Sequence, residues 1–314
     1  MSTEPLFFQP VFKERIWGGE KLKAFGYDLP YKRTGECWAF AGHPHGQSVV
    51  KEGVYKGKTL GALWEKERQL FGELKGGRFP LLTKLLDAND DLSIQVHPPD
   101  EYAQQFENDC GKTECWYVVH CEEGAEIVYG HYPKTKEEFS WMVREGRWTE
   151  ILRKVPVKQG DFYYVPSGTI HAIGKGIVIL ETQQNSDATY RLYDYERVDH
   201  GGKKRVLHVT QSLDVLSTPF VESQLAMLKN QVDGVHVTTF VQSPYFTVHK
   251  WMVKGSASLC QEEPFLLISV LKGNGHIEKN QKEYAFSVGD HVLLPAGFGS
   301  FTISGDAECI VSHV

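Results

Sequence analysis

The chain has 314 residues, a formal net charge of −6 and 41% hydrophobic residues, so it can bury a large core and is not a disordered polymer. The acidic balance and the lack of a long lysine or arginine run argue against nucleic acid or a membrane surface as a partner. No signal-peptide pattern and no apolar run of about 20 residues is visible, so we expect a cytoplasmic protein with a small soluble ligand.

Two segments have helical periodicity in a chain that otherwise alternates short apolar runs with Gly, Pro and Asn/Asp turns. Apolar spacing predicts a helix within residues 59–72, with Thr59 as its N-cap. A second helical segment, residues 134–154, is interrupted near Gly146, which predicts a helix pair. The remaining runs predict a mainly β fold in which these helices are short insertions.

Polar residues at alternate positions follow the first helix. In a strand, residues 93, 95 and 97 share one face, and residues 112 and 114 share a face of another strand. A histidine follows in residues 166–171 (PSGTIH). Imidazole, amide and carboxylate ligands without a thiolate suit a borderline cation such as zinc in a catalytic site. The four candidate metal ligands are Gln95, His97, Glu114 and His171.

Two other groups of residues offer metal-binding chemistry. His43 and His45 form a His-x-His pair, but no glutamate follows at short spacing, which favours a surface turn or the rim of a site over ligation. The six cysteines show no paired framework and no Cys-x-x-Cys, so we expect free thiols. Cys115 adjoins Glu114 and should point to the opposite face of its strand.

An internal repeat gives the predicted architecture. Residues 160–168 (GDFYYVPSG) match residues 289–297 (GDHVLLPAG), and residues 116–124 match 265–273 more weakly with an offset of 149. Each copy suits a jelly-roll β-barrel of the cupin type. We therefore predict a metal-binding barrel in residues 1–225 and a second barrel in residues 226–314. The second barrel has Ser300 where the first has His171, and is expected to be metal-free.

Several motifs in this order resemble the signatures of type I mannose-6-phosphate isomerases of the cupin superfamily. They are residues 15–19 (RIWGG), 35–38 (GECW), 95–98 (QVHP), 111–114 (GKTE), 166–172 (PSGTIHA) and 190–194 (YRLYD). The resemblance covers nearly the whole chain, whose length is similar to that of the short bacterial form. It implies a cupin fold and interconversion of mannose 6-phosphate and fructose 6-phosphate through an enediol.

The resemblance also implies roles for individual residues. It implies one zinc ion per chain on Gln95, His97, Glu114 and His171. Arg191 corresponds to a catalytic arginine that also binds substrate, Glu181 and Lys112 to residues that handle protons, and Ser93 to a residue near the substrate phosphate.

The chemistry of the residues favours Glu181 as the general base, because Glu114 is committed to the metal. A dication would lower the pKa of Lys112, which could then shuttle a hydroxyl proton or bind phosphate, and both roles stay open.

Alternatives remain at this stage. A non-catalytic cupin that senses a sugar phosphate or a metal fits the same motifs, and a cupin dioxygenase with iron is a weaker third reading. Trp17, Trp38 and Tyr193 could line a sugar pocket or pack in the core. No long heptad pattern stands out, and we expect a monomer or a weak dimer.

Overall fold

The computed structural model describes residues 4–198 and 201–314, which form a mainly β protein with few helices. None of the helices in these ranges has the length and hydropathy that crossing a membrane requires. The α-helices are α1 (Leu60–Lys66), α2 (Asp100–Phe106), α3 (Lys136–Arg144), α4 (Trp148–Ile151) and α5 (Val209–Val215), with 3₁₀ turns at Lys21–Phe25 and Arg68–Phe71.

The strands follow one another through the whole chain. Before α5 they are β1 (Leu6–Gln9), β2 (Val11–Gly19), β3 (Thr34–Phe40), β4 (Gly42–His43), β5 (Gly46–Gln47), β6 (Val49–Val50), β7 (Leu81–Ala88), β8 (Ile94–Val96), β9 (Glu114–Cys121), β10 (Glu126–His131), β11 (Leu152–Pro156), β12 (Phe162–Val165), β13 (His171–Ile173), β14 (Ile177–Gln184) and β15 (Tyr190–Tyr193). After α5 they are β16 (Leu228–Val232), β17 (Val235–Gln242), β18 (Thr247–Gln261), β19 (Phe265–Lys279), β20 (Lys282–Ser287), β21 (His291–Pro295) and β22 (Gly299–His313).

Two antiparallel sheets build the N-terminal part. One has the order β12-β9-β14-β7-β3-β2 and the other the order β11-β10-β13-β8-β15. An apolar cluster joins them, with Leu86, Trp116 and Ile179 from the first sheet against Ile127 and Ile173 from the second. Packing of two antiparallel sheets across such a core is the cupin-type arrangement that the sequence predicts.

The C-terminal part is one large sheet that includes two strands from the start of the chain. Its order is β16-β17-β18-β22-β19-β21-β1-β6, with β20 beside β19. Strand β1 pairs antiparallel with β21, with Leu6 opposite Leu293. Strand β6 pairs with β1 in turn. Hydrogen bonding in this sheet therefore crosses the predicted boundary between residues 225 and 226.

The two parts also share an apolar core. The rings of Phe71 and Phe79 contact Phe265 of β19, with centroid distances of 5.9 and 5.1 Å. The hydroxyl of Tyr117 on β9 donates to Glu308 Oε1 on β22 at 2.8 Å. These contacts fix the N-terminal sheets against the C-terminal sheet, and the first of them involves the helix-rich segment that precedes β7.

Both predicted helical segments are helical, although their extents differ. Thr59 caps α1, since its hydroxyl accepts from the Ala62 amide at 3.1 Å. The second segment contains α3 and α4, but its last residues belong to β11, which begins at Leu152. Helices α2 and α5 were not predicted. Each has seven residues and buries only one or two side chains, too few to produce an apolar stripe.

The repeat is visible as equivalent strands, with one correction to its alignment. Phe162 on β12 pairs with Tyr117, and His291 on β21, 129 residues later, pairs with Ser269, which is 152 residues after Tyr117. The weaker alignment with an offset of 149 was therefore wrong by three residues. It matched Gly124 in a turn with Gly273, which lies inside the 15-residue strand β19 instead of at a strand end.

Candidate active site

The first row of site residues crosses three neighbouring strands of the five-stranded sheet. Gln95 on β8 lies opposite His171 of β13 on one side and opposite Arg191 of β15 on the other. Ser93 lies just before β8, and Arg191 Nε donates to its hydroxyl at 3.3 Å. Residues directly opposite one another in antiparallel strands share a face, so these side chains project from one face of the sheet.

A second row crosses the six-stranded sheet. Glu181 on β14 lies opposite Lys84 of β7 and opposite Trp116 of β9. Glu114 begins β9 two residues before Trp116, so the two share a face. The sequence analysis identified Glu181 and Glu114 but missed Lys84 and Trp116.

Three of the four predicted ligands form a compact buried group. His97 Nε2 is 3.3 Å from Glu114 Oε2, and His171 Nε2 is 3.4 Å from Glu114 Oε1. Within residues 4–198 and 201–314, this is the single group of three or more histidine, cysteine or acidic side chains that could hold a metal ion. Gln95 Nε2 lies 3.2 Å from His171 Nε2. Rotation of the Gln95 side-chain amide by 180° would place its oxygen there instead, and that oxygen could then act as a metal ligand.

Hydrogen bonds to the backbone orient both imidazoles. His97 Nδ1 is 2.9 Å from the carbonyl oxygen of Ala188, and His171 Nδ1 is 2.9 Å from that of Thr169. A carbonyl only accepts, so each Nδ1 carries the proton and donates it. Each Nε2 therefore presents a lone pair to Glu114, as a metal-ligating histidine does.

The protonation states of these side chains are those that binding of a metal cation requires. Burial lowers the pKa of His171, and burial together with Lys112 lowers that of His97 to about 3, so both rings are neutral. Burial opposes the charge of Glu114, but the adjacent Lys112 ammonium outweighs it and holds the pKa of Glu114 well below the usual range. Oε2 of this fully buried carboxylate has no hydrogen-bond partner. Two neutral imidazoles, a carboxylate and an amide fit a zinc site of the catalytic type.

Lys112 lies beside the metal-ligand group. Its Nζ is 3.2 Å from Glu114 Oε2 and 3.1 Å from His97 Nε2. Burial opposes its charge, but Glu114, Glu181 and Asp187 raise the pKa of Lys112 to about 12. The expected lowering of this pKa is an effect of a bound dication, which would act against these carboxylates, and it stays a prediction.

Trp116 links the two buried carboxylates. Its indole N–H is shared between Glu114 Oε1 at 3.0 Å and Glu181 Oε2 at 3.2 Å. Lys84 Nζ lies 3.4 Å from the other oxygen of Glu181. Burial, and then the charge of Glu114, raise the pKa of Glu181. Glu181 is thus a buried carboxylate with a raised affinity for a proton, next to the metal-ligand group.

A cavity of about 510 Å³ lies beside this group, and Gln95 and Lys112, which contact the group, line it. Lys112, Glu181, Gln95, Ser93 and Arg191 all line it. Arg205 and His208 line it beside Arg191, and burial together with the charge of Arg191 lowers the pKa of His208, so that Arg205 is the further cation there. All residues that the sequence analysis assigned to the reaction or to substrate binding therefore face one cavity.

A buried aspartate organises this cationic end. Asp194 is 4% exposed, and Arg205 Nε donates to its Oδ2 at 2.7 Å while Arg197 donates to its Oδ1 at 2.7 Å. Arg191 Nη1 donates to the carbonyl of Val206, next to Arg205, at 3.1 Å. Three guanidinium groups and one carboxylate leave a net positive charge here, which favours an anionic ligand.

The other candidates lie outside this constellation. His43 and His45 belong to the β4–β5 hairpin, where His45 Nδ1 is 3.1 Å from Asp187 Oδ2, and neither joins the metal-ligand group.

Trp17 lines the cavity, Trp38 is fully buried, and Tyr193 lines a different cavity on the outer side of the five-stranded sheet. The six cysteines are free, as predicted, and Cys115 packs into the shared core.

Some of the missed residues had a sequence signal. Lys84 is the one cation in the mostly apolar strand LLTKLLDA, and a buried charge without function is costly. Trp116 follows Glu114 at the same-face spacing but resembles ordinary core packing. Arg205 lies in an irregular segment. Such a segment has no helical or strand periodicity from which its contact with Asp194 could be predicted.

Comparison with known proteins agrees with this geometry. Residues 6–116 match the catalytic domain of phosphomannose isomerase type I, and residues 236–314 match the cupin domain of mannose-6-phosphate isomerase. Over the full length of both chains, the sequence is 59% identical to mannose-6-phosphate isomerase ManA of Bacillus subtilis. The chain belongs to the type I phosphomannose isomerase family.

Other relatives extend the comparison. Mannose-6-phosphate isomerase of Streptococcus mutans is 54% identical over 99% of this chain and 98% of that one. The crystal structure of a Bacillus subtilis mannose 6-phosphate isomerase superposes with a TM-score of 0.97 at 50% identity, covering 99% of both chains. A phosphomannose isomerase variant from Salmonella typhimurium has a TM-score of 0.81 at 14% identity, with 98% and 99% of the two chains covered, which shows the shared fold alone.

Replacing Trp116 by phenylalanine should weaken metal binding. The ring volume is nearly kept, but Glu114 loses the hydrogen bond that orients it, and loss of such an outer contact costs about 10- to 100-fold in metal affinity. Competition with a chromophoric chelator measures the dissociation constant. Trp141→Phe, on the exposed face of α3, is the control and should leave it unchanged. Equal affinities in both variants would show that the indole does not orient Glu114.

Proposed function

We propose that the protein interconverts mannose 6-phosphate and fructose 6-phosphate, using one zinc ion per chain. The observation that carries this proposal is the buried group of His97, Glu114 and His171, whose neighbours Gln95 and Lys112 line one cavity together with Arg191 and Glu181. The family to which the chain belongs and the names of its relatives point to the same reaction.

The metal would be held by Gln95, His97, Glu114 and His171. When bound, zinc supplies Lewis-acid stabilisation of the negative charge that develops on the sugar oxygens, without redox chemistry of its own. The backbone acceptors at Ala188 and Thr169 keep the two imidazoles in the tautomer that this role needs.

Glu181 is the proposed base that moves the proton between C1 and C2. It lines the cavity, and it does not belong to the compact ligand group. Its raised pKa matches the requirement that a base accept a proton readily and return it. Trp116 and Lys84 hold one oxygen each, so the carboxylate keeps its orientation as the proton moves.

Arg191 and Lys112 are the proposed cationic partners of the substrate. The Arg191 guanidinium keeps its charge, and in a dry pocket a fixed positive group stabilises an enediolate strongly. Glu114, Glu181 and Asp187 raise the pKa of Lys112 and a bound dication would lower it, so hydrogen-bond donation to a sugar oxygen and service as a base both stay open for this residue. The proton abstraction is assigned to Glu181 because Glu114 is committed to the metal.

The cationic end of the cavity is the proposed phosphate subsite. Ser93, Arg191, Arg205 and His208 line it, and Asp194 fixes the Arg205 guanidinium by two hydrogen bonds to its Nε and Nη2. Guanidinium groups bind phosphate oxygens well because their donors form a rigid fork. The substrate would then lie with its phosphate at Arg205 and its reacting carbons beside Glu181.

The first experiment measures fructose 6-phosphate formation from mannose 6-phosphate by protein of known metal content. We expect turnover that chelation abolishes, that zinc restores and that His97→Ala lacks. Bound metal without turnover would contradict the proposal and favour a sensing cupin. Oxygen consumption with the iron-loaded protein would favour the dioxygenase reading. The cytoplasmic location and the monomeric or weakly dimeric state stay predictions.

Glu181→Gln should lower kcat by about 10²- to 10⁴-fold, because the amide cannot accept the proton, while KM and metal content stay close to those of the wild type. Steady-state kinetics and incorporation of solvent deuterium into the sugar measure this effect. Glu123→Gln, an exposed change on the same domain, should have no effect. If Glu181→Gln retained its turnover and deuterium exchange, Lys112 would take over the role of base.

Arg205→Ala should raise KM for mannose 6-phosphate by roughly 10-fold or more, since a hydrogen bond to a charged group is lost. Inhibition by inorganic phosphate should weaken in parallel, and kcat should change little. Arg144→Ala on the exposed surface of α3 is the control. An unchanged KM together with unchanged phosphate inhibition would place the phosphate elsewhere in the cavity.

A further inference from the structure

Two histidines of the C-terminal sheet lie together at the end of its buried face. Thr247 on β18 pairs with His313 on β22, and His249 pairs with Val311. Paired and alternate residues share a face, so both histidines project from the face that carries the buried Val311. Their rings stack at 5.4 Å with an interplanar angle of 21°. No role in the isomerase reaction involves either residue.

The two rings meet through the nitrogen atoms that a metal would use. His249 Nε2 is 3.3 Å from His313 Nε2. Two imidazoles on a tetrahedral zinc ion, each at about 2.0–2.1 Å, have their ligand atoms about 3.3–3.4 Å apart. The spacing of the pair therefore already equals that of two ligands of one ion. A direct N–H···N hydrogen bond is the competing explanation for this spacing.

The opposite nitrogen atoms have the partners that ligating histidines use. His313 Nδ1 is 3.0 Å from the Val314 carbonyl oxygen and 3.6 Å from a carboxylate oxygen of Glu263. Both groups accept, so the proton lies on Nδ1 and leaves a lone pair on Nε2. His249 Nδ1 is 2.9 Å from the Thr239 hydroxyl, which can accept a hydrogen bond from Nδ1 or donate one to it, and metal binding at Nε2 requires the first arrangement. A backbone carbonyl and a carboxylate behind the ring are common outer partners of metal-bound histidine.

We propose that His249 and His313 form a second site for a divalent transition metal such as zinc, completed by water. Neutral imidazoles suit such ions, and His249 is half-buried, so solvent can reach the pair. With two protein ligands, the site binds more weakly than the group in the N-terminal part. The bound ion would tie β18 to β22 near the end of the chain. This proposal departs from the expectation of a metal-free second barrel and does not rest on the proposed isomerase function.

The test is the zinc content of the full chain after equilibrium dialysis against micromolar zinc. Wild-type protein should hold two equivalents, and His249→Gln and His313→Gln should each hold one while keeping isomerase activity. His236→Gln, an exposed histidine of β17, is the matched control and should keep two. The second equivalent should also raise the Tm of the wild type and of the control, but not of the other two variants.

Equal zinc contents in the wild type and in both variants would overturn the proposal, whether the total is one or two equivalents. The pair would then be a hydrogen bond between rings, and any second ion would lie elsewhere. His249→Asn and His313→Asn replace the glutamine variants if those fail to fold. The zinc count does not depend on turnover, so this test and the isomerase assay can fail separately.

Discussion

The buried carboxylate of Glu114 is the constraint around which the site is built. A carboxylate out of contact with water must be neutralised or surrounded by donors and cations, and every neighbour of Glu114 serves that need. Lys112 supplies the charge and Trp116 an N–H, but the two histidines direct their protons away and face Glu114 with lone pairs, so they serve it only through a shared cation. One oxygen still lacks a hydrogen-bond partner, and a cation would satisfy it.

The two N-terminal sheets divide the chemistry between them. The five-stranded sheet carries Gln95, His171 and Arg191 in one row, and the six-stranded sheet carries Glu181 and its supports in another. Strand pairing fixes each row, and the apolar cluster between the sheets fixes the distance from one row to the other. Rigid placement of this kind is what proton transfer at neighbouring carbons requires.

The sequence predicted the parts of the site that follow a strand period or a motif and missed those that depend on three-dimensional packing. Gln95, His97 and Glu114 stand at alternate positions that two strands bring together, and family motifs led to Arg191 and Glu181. Lys84 and Trp116 act through cross-strand neighbours, and Arg205 through an irregular segment, so no local pattern reveals them. In the fold, periodicity found α1 and α3 but not the seven-residue α2 and α5, which bury too little to leave a stripe.

The pairing of β1 with β21 has a consequence for synthesis of the chain. Strands β1 and β6 belong to a sheet whose other members come from the last third of the sequence. Until those residues are made, β1 can pair in this sheet with the two-residue β6 alone, and without β1 the edge of β21 would present unpaired backbone groups to other chains. The C-terminal sheet is thus completed by two strands from the N-terminal part of the sequence.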